Sequence, residues 1–239
     1  MKLRKWKALL IKDTKLVFKN KNIILLLLLP PIFALVYSNL FTHMVEDESI
    51  YVLLSLITGL GLMVIGSSVM AMAISEEKEK KTLRSLLLSD VSAIEFILSK
   101  MVIILILFTL MMSICYLIVG APRSYMLEYL LIIVLSTISL LLISSIVGIL
   151  SPTQQASSVL SAPIMFALGI PMFALMGLNE VLLIVSKFFP TGPALFMLNA
   201  KAGLMDNYPS LLGYSSMILW ILISLSAFTY FYKKNSIDN

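Results

Sequence analysis

Six apolar runs, at about 23–41, 51–74, 94–119, 127–150, 159–178 and 211–232, take up most of this chain. Each comes close to the roughly 20 residues that a helix rising 1.5 Å per residue needs to cross a bilayer's hydrocarbon. With 59% hydrophobic residues among 239 and a mean hydropathy of +0.99, the composition is not that of a soluble domain. The connections are too short to hold an independent soluble domain on either side. The expectation is an all-α integral membrane protein, a single transmembrane domain over 1–239 with six transmembrane helices. Residues 1–22 read as an N-terminal amphipathic interfacial helix, 75–92 as a surface helix between spans two and three, and 179–209 as an external region of re-entrant helices before span six.

The net charge of +5 is distributed by topology. Lys2, Arg4, Lys5, Lys7, Lys12, Lys15, Lys19 and Lys21 precede the first run, and Lys78, Lys80, Lys81, Arg84 and Lys100 fall between the second and third. Lys233 and Lys234 follow the sixth, and only Arg123, Lys187 and Lys201 fall on the other side. Short loops rich in Lys and Arg stay cytoplasmic. Both termini are therefore expected inside a cell membrane crossed several times, and the basic balance is a sorting signal, not a nucleic-acid footprint. Cys115 is the only cysteine, so no disulfide within the chain or thiol-metal site is expected. His43 beside Glu46, Asp47 and Glu48 offers too few ligands for a metal, and a solvated loop is the better reading. The basic start and Ile23–Leu29 resemble a signal peptide, but Pro30-Pro31 interrupts the run and no convincing cleavage site follows. An uncleaved first span is expected.

Within residues 3–18, Leu3, Trp6, Leu10, Asp13 and Val17 fall near helical spacing with lysines on the flanks. That suits a helix lying in the membrane interface; the alternative is a basic tail, and Asp13 in the apolar stripe weighs against the helix. Pro30 and Pro31 remove two amides, so span one is expected to kink. Span two is rich in small residues, Ser67 and Ser68 among them, and span four carries Ser136 and Ser139. Such residues either let helices approach closely or line part of a translocation path. No Asp, Glu, Lys or Arg sits mid-span, which argues against an ion-coupled proton relay. The run Val181–Phe189 is too short to span and is followed by Pro190, Gly192 and Pro193. Its backbone would survive at depth only where protein or a water-filled cavity surrounds it. Phe188, Phe189, Pro190 and Phe196 are candidates for an apolar outer gate.

The densest charge is Glu76-Glu77-Lys78-Glu79-Lys80-Lys81-Thr82-Leu83-Arg84-Ser85-Leu86-Leu87. Acidic residues come first and basic ones second, in keeping with a helix dipole, and Glu76–Lys80 and Glu77–Lys81 are i,i+4 pairs. Leu83, Leu86 and Leu87 form an apolar stripe, Ser89-Asp90 supplies a stop, and Ser92-Ala93-Ile94-Glu95 reads as a capping box for the next helix. The segment therefore reads as a short surface helix with its own ends.

At these residues the chain resembles the permease subunits of ABC-2 type ATP-binding-cassette transporters. Glu77, Lys78, Glu79, Thr82, Leu83, Leu86, Leu87, Ser89, Ser92, Glu95, Leu98 and Lys100 match the family pattern in register. Lys81, Asp90 and Ser99 stand where that pattern has Gly, Pro and Gly. The proline of span one and Phe189-Pro190-Thr191-Gly192-Pro193 extend the likeness along the chain. The resemblance implies that 75–92 is a cytoplasmic coupling helix. Glu76, Glu77, Glu79, Thr82, Leu83, Leu86 and Leu87 would then be the residues that engage an ABC ATPase subunit. No G-x-x-x-x-G-K-(S/T) loop occurs in the chain, so ATP and Mg would be bound by that partner and this chain would be a non-catalytic permease without a cofactor of its own. A second permease copy or a paralogue, in the same lipid bilayer, would complete the path.

The reading that follows is ATP-driven export of an apolar or amphipathic substrate, such as a drug, a lipid or an antimicrobial peptide. Glycan or other polar export is the alternative within the family. An ion-driven carrier or channel is the alternative outside it, and dependence on an ATPase separates the two. An intramembrane enzyme would need paired carboxylates, metal ligands or a nucleophile with its base inside the spans, and the sequence supplies none of these.

Overall fold

The computed structural model describes residues 3–41, 47–81, 93–177, 180–204 and 208–236, and among them the chain is helical, without strands. Helix α1 (Leu3–Lys19) precedes α2 (Lys21–Phe41). Span two follows as α3 (Asp47–Val64), a π turn (Ile65–Val69) and α4 (Met70–Glu79). Next come α5 (Ala93–Val119), α6 (Met126–Leu150) and α7 (Gln154–Leu175). Two short helices, α8 (Glu180–Ser186) and α9 (Gly192–Lys201), lead to α10 (Ser210–Ser236). Among the described residues six helical stretches are long and apolar enough to cross a membrane: Lys21–Leu40, Ile50–Glu79, Glu95–Val119, Arg123–Leu150, Gln154–Leu175 and Ser210–Lys234.

Local chemistry sets the helix boundaries. Asn20 separates α1 from α2, and its side-chain oxygen accepts from the amides of Asn22 (3.0 Å) and Ile23 (3.1 Å), which caps α2. Thr153 caps α7 in the same way, accepting from the amide of Ala156 at 3.2 Å. Pro30 and Pro31 lie inside α2, and Pro163 and Pro171 inside α7, without ending either helix. Packed membrane helices tolerate such prolines because neighbouring groups satisfy the freed carbonyls.

Span two is the most buried of the six and forms the axis of the bundle, touching α2, α5, α6 and α7. Its small residues make that possible. A Cβ on Gly148 of α6 would lie 2.8 Å from Cβ of Ile74 and 3.1 Å from the backbone of Ala71, so α4 and α6 approach as closely as glycine permits. Across the same contact the Ala71 amide donates to the Ser144 hydroxyl at 3.0 Å. In the π turn the Ser67 carbonyl accepts from the Ser161 hydroxyl of α7 at 2.8 Å, a bond to a neighbouring helix of the kind a π turn leaves room for.

Six successive spans bring α1 and the last turn of α10 to one end of the bundle, called the terminal end, with α8 and α9 towards the far end. There Gly192–Asn199 is buried against α3 and α10. The Asn199 side chain donates to Ser55 at 2.6 Å and to the Leu195 carbonyl at 2.8 Å. Conversely, α10 packs chiefly on α6 and leaves Leu211, Leu219 and Leu222 exposed, a face suited to lipid.

Candidate functional site

The terminal ends of spans two and three meet α1 around a cluster of ionised side chains with almost no access to solvent. Asp13 of α1 is fully buried, Lys100 of α5 is 2% exposed and Glu77 of α4 is 1% exposed. The Lys100 ammonium donates to Asp13 Oδ1 at 2.8 Å and to Glu77 Oε1 at 2.6 Å. Lys12 adds a two-pronged contact to Glu77, at 2.9 and 3.0 Å. The Ser99 hydroxyl donates to the other Asp13 oxygen, and the ring of Phe96 lies 4.8 Å beneath the Lys100 ammonium. Two carboxylates thus face two ammonium groups, which is the condition under which charge is tolerated away from water.

The neighbouring acids of α4 point elsewhere, because consecutive helical positions are rotated by about 100°. Glu76 pairs with Lys80 and accepts from the Asn20 side chain at 2.5 Å, at the α1–α2 junction. Glu79 accepts from the backbone amide of Gln154 at 3.0 Å, at the start of α7, where a carboxylate complements the helix dipole. Lys78 donates to the Ile149 carbonyl in the last turn of α6 at 2.6 Å, the matching interaction at a helix C-terminus. The end of span two is therefore fastened to α1, α5, α6 and α7 by four successive charged residues.

The sequence reading expected the charged segment to be a surface helix with its own ends. Its first part is instead the unbroken continuation of span two as far as Glu79, because Glu76, Glu77 and Glu79 find partners on neighbouring helices. The helix closes at Lys81, whose φ is +55° and whose amide donates to the Lys78 carbonyl at 3.0 Å. This is the left-handed closing geometry that favours glycine, and Lys81 stands where the ABC-2 pattern has its glycine. Thr82, Leu83, Leu86 and Leu87 lie outside the described residues.

The four serines proposed for a path, Ser67, Ser68, Ser136 and Ser139, are all buried inside the single subunit. Ser67 donates to the Met63 carbonyl at 2.8 Å, and Ser139 to the Ser136 carbonyl at 2.8 Å. A path between two copies would require them to turn outward. The gate candidates are divided. Phe188, Phe189 and Pro190 line an open apolar groove of about 420 Å³ together with Ile184, Leu168 and Trp220, among others, and Phe188 itself is exposed. The Trp220 indole donates to the Phe188 carbonyl at 2.9 Å. Phe196 is not part of that lining; it is fully buried with its ring 5.6 Å from that of Tyr208. A second, polar cleft of about 410 Å³ opens between the starts of α2 and α7 and the end of α4, lined by Asn22, Glu79, Thr153 and Gln154 among others.

Nothing in the sequence marks Lys12, Asp13, Asn20, Ser99 and Lys100 as a group, but two of them carry a signal. Asp13 sits in the apolar stripe of α1, and Lys100 lies inside the third apolar run. A charge in either setting requires a buried partner.

Comparison with protein families gives a match to the model described as ABC-2 type transporter over residues 4–178, from α1 to just past α7. No match is found among curated proteins.

Proposed function

Because this chain belongs to the ABC-2 type transporter family, we propose that it is the membrane subunit of an ATP-driven exporter, forming half of a translocation path for an apolar or amphipathic substrate. ATP and Mg are bound by a separate ABC ATPase subunit, and a second permease copy or a paralogue supplies the other half of the path. Both termini lie in the cytoplasm, so the terminal end of the bundle faces the ATPase.

One observation carries this reading. Glu76, Glu77, Lys78 and Glu79 fasten the end of span two to four other helices, and the chain leaves that end directly into the leucine-rich segment expected to couple to the ATPase. A push on 82–92 therefore acts on a joint shared by α1, α4, α5, α6 and α7, not on a loop that could yield alone. Ion pairs and packed helices of this kind transmit displacement between discrete arrangements. On this reading the open apolar groove beside Phe188 borders the path, where it would suit an apolar or amphipathic substrate better than a glycan, which needs hydrogen-bonding groups along its course.

Leu86→Asp tests the coupling. Placing a carboxylate where a partner cleft buries a leucine should cost several kcal/mol of association. Transport and recovery of the ATPase with the permease should both be lost, while membrane insertion is retained. Undiminished recovery of the ATPase with the variant would remove this segment from the interface.

A further inference from the structure

Helix α1 has two faces of different chemistry. Leu9, Asp13 and Val17 point inward and are buried, and Lys12 reaches in to Glu77. Lys7, Lys15 and Lys19 point the other way and are exposed, with Ile11 (49% exposed) and Phe18 (60% exposed) between them. Asp13, the only acidic residue of α1, faces inward, so the outer face carries positive charge without compensation from its own helix. Lys21, exposed at the start of α2, continues the row.

The depth of this face is fixed by its inner contacts. Asp13 is bonded to Lys100 and Ser99, near the start of span three, and Lys12 to Glu77, near the end of span two. The outer face is therefore held level with the ends of two spans, where headgroups begin. Lysines alternating with an exposed Phe and Ile fit a layer that is anionic at the surface and apolar just below.

We propose that the outer face of α1 is a docking surface for anionic phospholipid headgroups, with Lys7, Lys15 and Lys19 as the cationic contacts and Ile11 and Phe18 inserted between acyl chains. Because the opposite face carries Asp13 and Lys12, the headgroups bear on the helix that holds Glu77 and Lys100 in place. Anionic lipid thus becomes a stabiliser of the terminal joint. The surface matches the proposed cytoplasmic placement of the chain ends, but the contact itself depends only on α1 lying at a headgroup layer.

The test uses the full-length chain carrying Ala8→Cys on the same face, labelled with an environment-sensitive fluorophore; Cys115 is buried and stays unlabelled. The labelled protein is reconstituted into vesicles of phosphatidylcholine and phosphatidylglycerol at fixed ratio, with bromine on the acyl chains of one lipid or the other. Brominated phosphatidylglycerol should quench more strongly than brominated phosphatidylcholine. A contribution of about 1 kcal/mol per lysine corresponds to an enrichment of roughly five-fold for each residue involved. High salt should reduce the preference, and Lys7→Gln/Lys15→Gln/Lys19→Gln should abolish it without changing the melting temperature in phosphatidylcholine alone. Equal quenching by the two lipids, or a preference that survives the triple substitution, would overturn the proposal. Protection of the fluorophore from both lipids once the ATPase is added would assign the face to a protein partner and overturn it equally. Vesicles carry the anionic lipid in both leaflets, so the result is independent of orientation. Separately, Lys80→Cys should stay unreactive towards an impermeant reagent in intact cells, and its labelling there would overturn the cytoplasmic placement.

Discussion

Replacing Lys100 with Met isolates the energetics of the buried cluster, because methionine keeps an unbranched apolar stem and removes only the charge. The ammonium sits 2.8 Å from one carboxylate and 2.6 Å from another. At an effective dielectric constant near 20, each attraction amounts to about 6 kcal/mol before desolvation is charged against it. Removing one member of a buried ion pair costs about 3–5 kcal/mol in practice, since the partner is left uncompensated. Two features place this site at the lower end, about 3 kcal/mol: Glu77 keeps Lys12 at 2.9 Å, and Asp13 keeps the Ser99 hydroxyl. Asp13→Asn in the same chain should recover part of the loss, because Lys12 and Glu77 then remain as a neutral pair. The assay is reversible unfolding of the detergent-solubilised chain for the wild type, both single variants and the double variant. The coupling energy should exceed about 1 kcal/mol. Additivity within about 0.5 kcal/mol, or a Lys100→Met chain as stable as the wild type, would mean that water reaches the cluster and that the ions do not act together.

Lys81→Gly should raise stability by about 1 kcal/mol, since a φ of +55° is costly for lysine and free for glycine; a higher melting temperature checks it, and a fall would show that the lysine ammonium contributes more than its backbone costs. Gly192→Ala should destabilise by about 1–3 kcal/mol, because the added Cβ would lie 2.0 Å from the Ser186 carbonyl oxygen. The loss should register as earlier proteolysis at the α8–α9 turn; an unchanged digestion pattern would show that the turn can open without cost.

The spans were legible because lipid enforces their length and composition, and the six expected runs correspond to the six helices long enough to cross. Hydropathy ends span two at residue 74, whereas its helix continues to Glu79. Hydropathy falls at Ser75, but the helix is extended by partners on α1, α5 and α7, which periodicity cannot reveal. Asp13 was visible as an exception within an apolar stripe, yet the residue that answers it lies 87 positions away, and nothing local joins the two. The serines of spans two and four were readable as small and hydroxylic. Whether such a residue faces a neighbour or a channel is decided by helix rotation, and the structure turns them inward. For α9, length and helix breakers were legible; its burial comes from Asn199, bonded to Ser55 144 positions away, and from the phenylalanine packed on Tyr208 beyond the helix.

The π turn at Ile65–Val69 sets the angular phase of span two. A π turn accommodates one residue more than an α-helical turn, and one residue corresponds to about 100° of rotation. Everything after it is therefore indexed differently from everything before it. The far half of the span is registered by Ser55 against Asn199, and the terminal half by Glu76 and Glu77 against Asn20, Lys12 and Lys100. A straight α-helix through the same sequence could satisfy one of these registrations but not both. Either the serine would leave its amide, or both carboxylates would swing away from their cations. The extra residue works as a spline between two keyed ends, and it explains why glycine and two serines, which adapt easily to irregular backbone, occupy the middle of the most buried of the six spans.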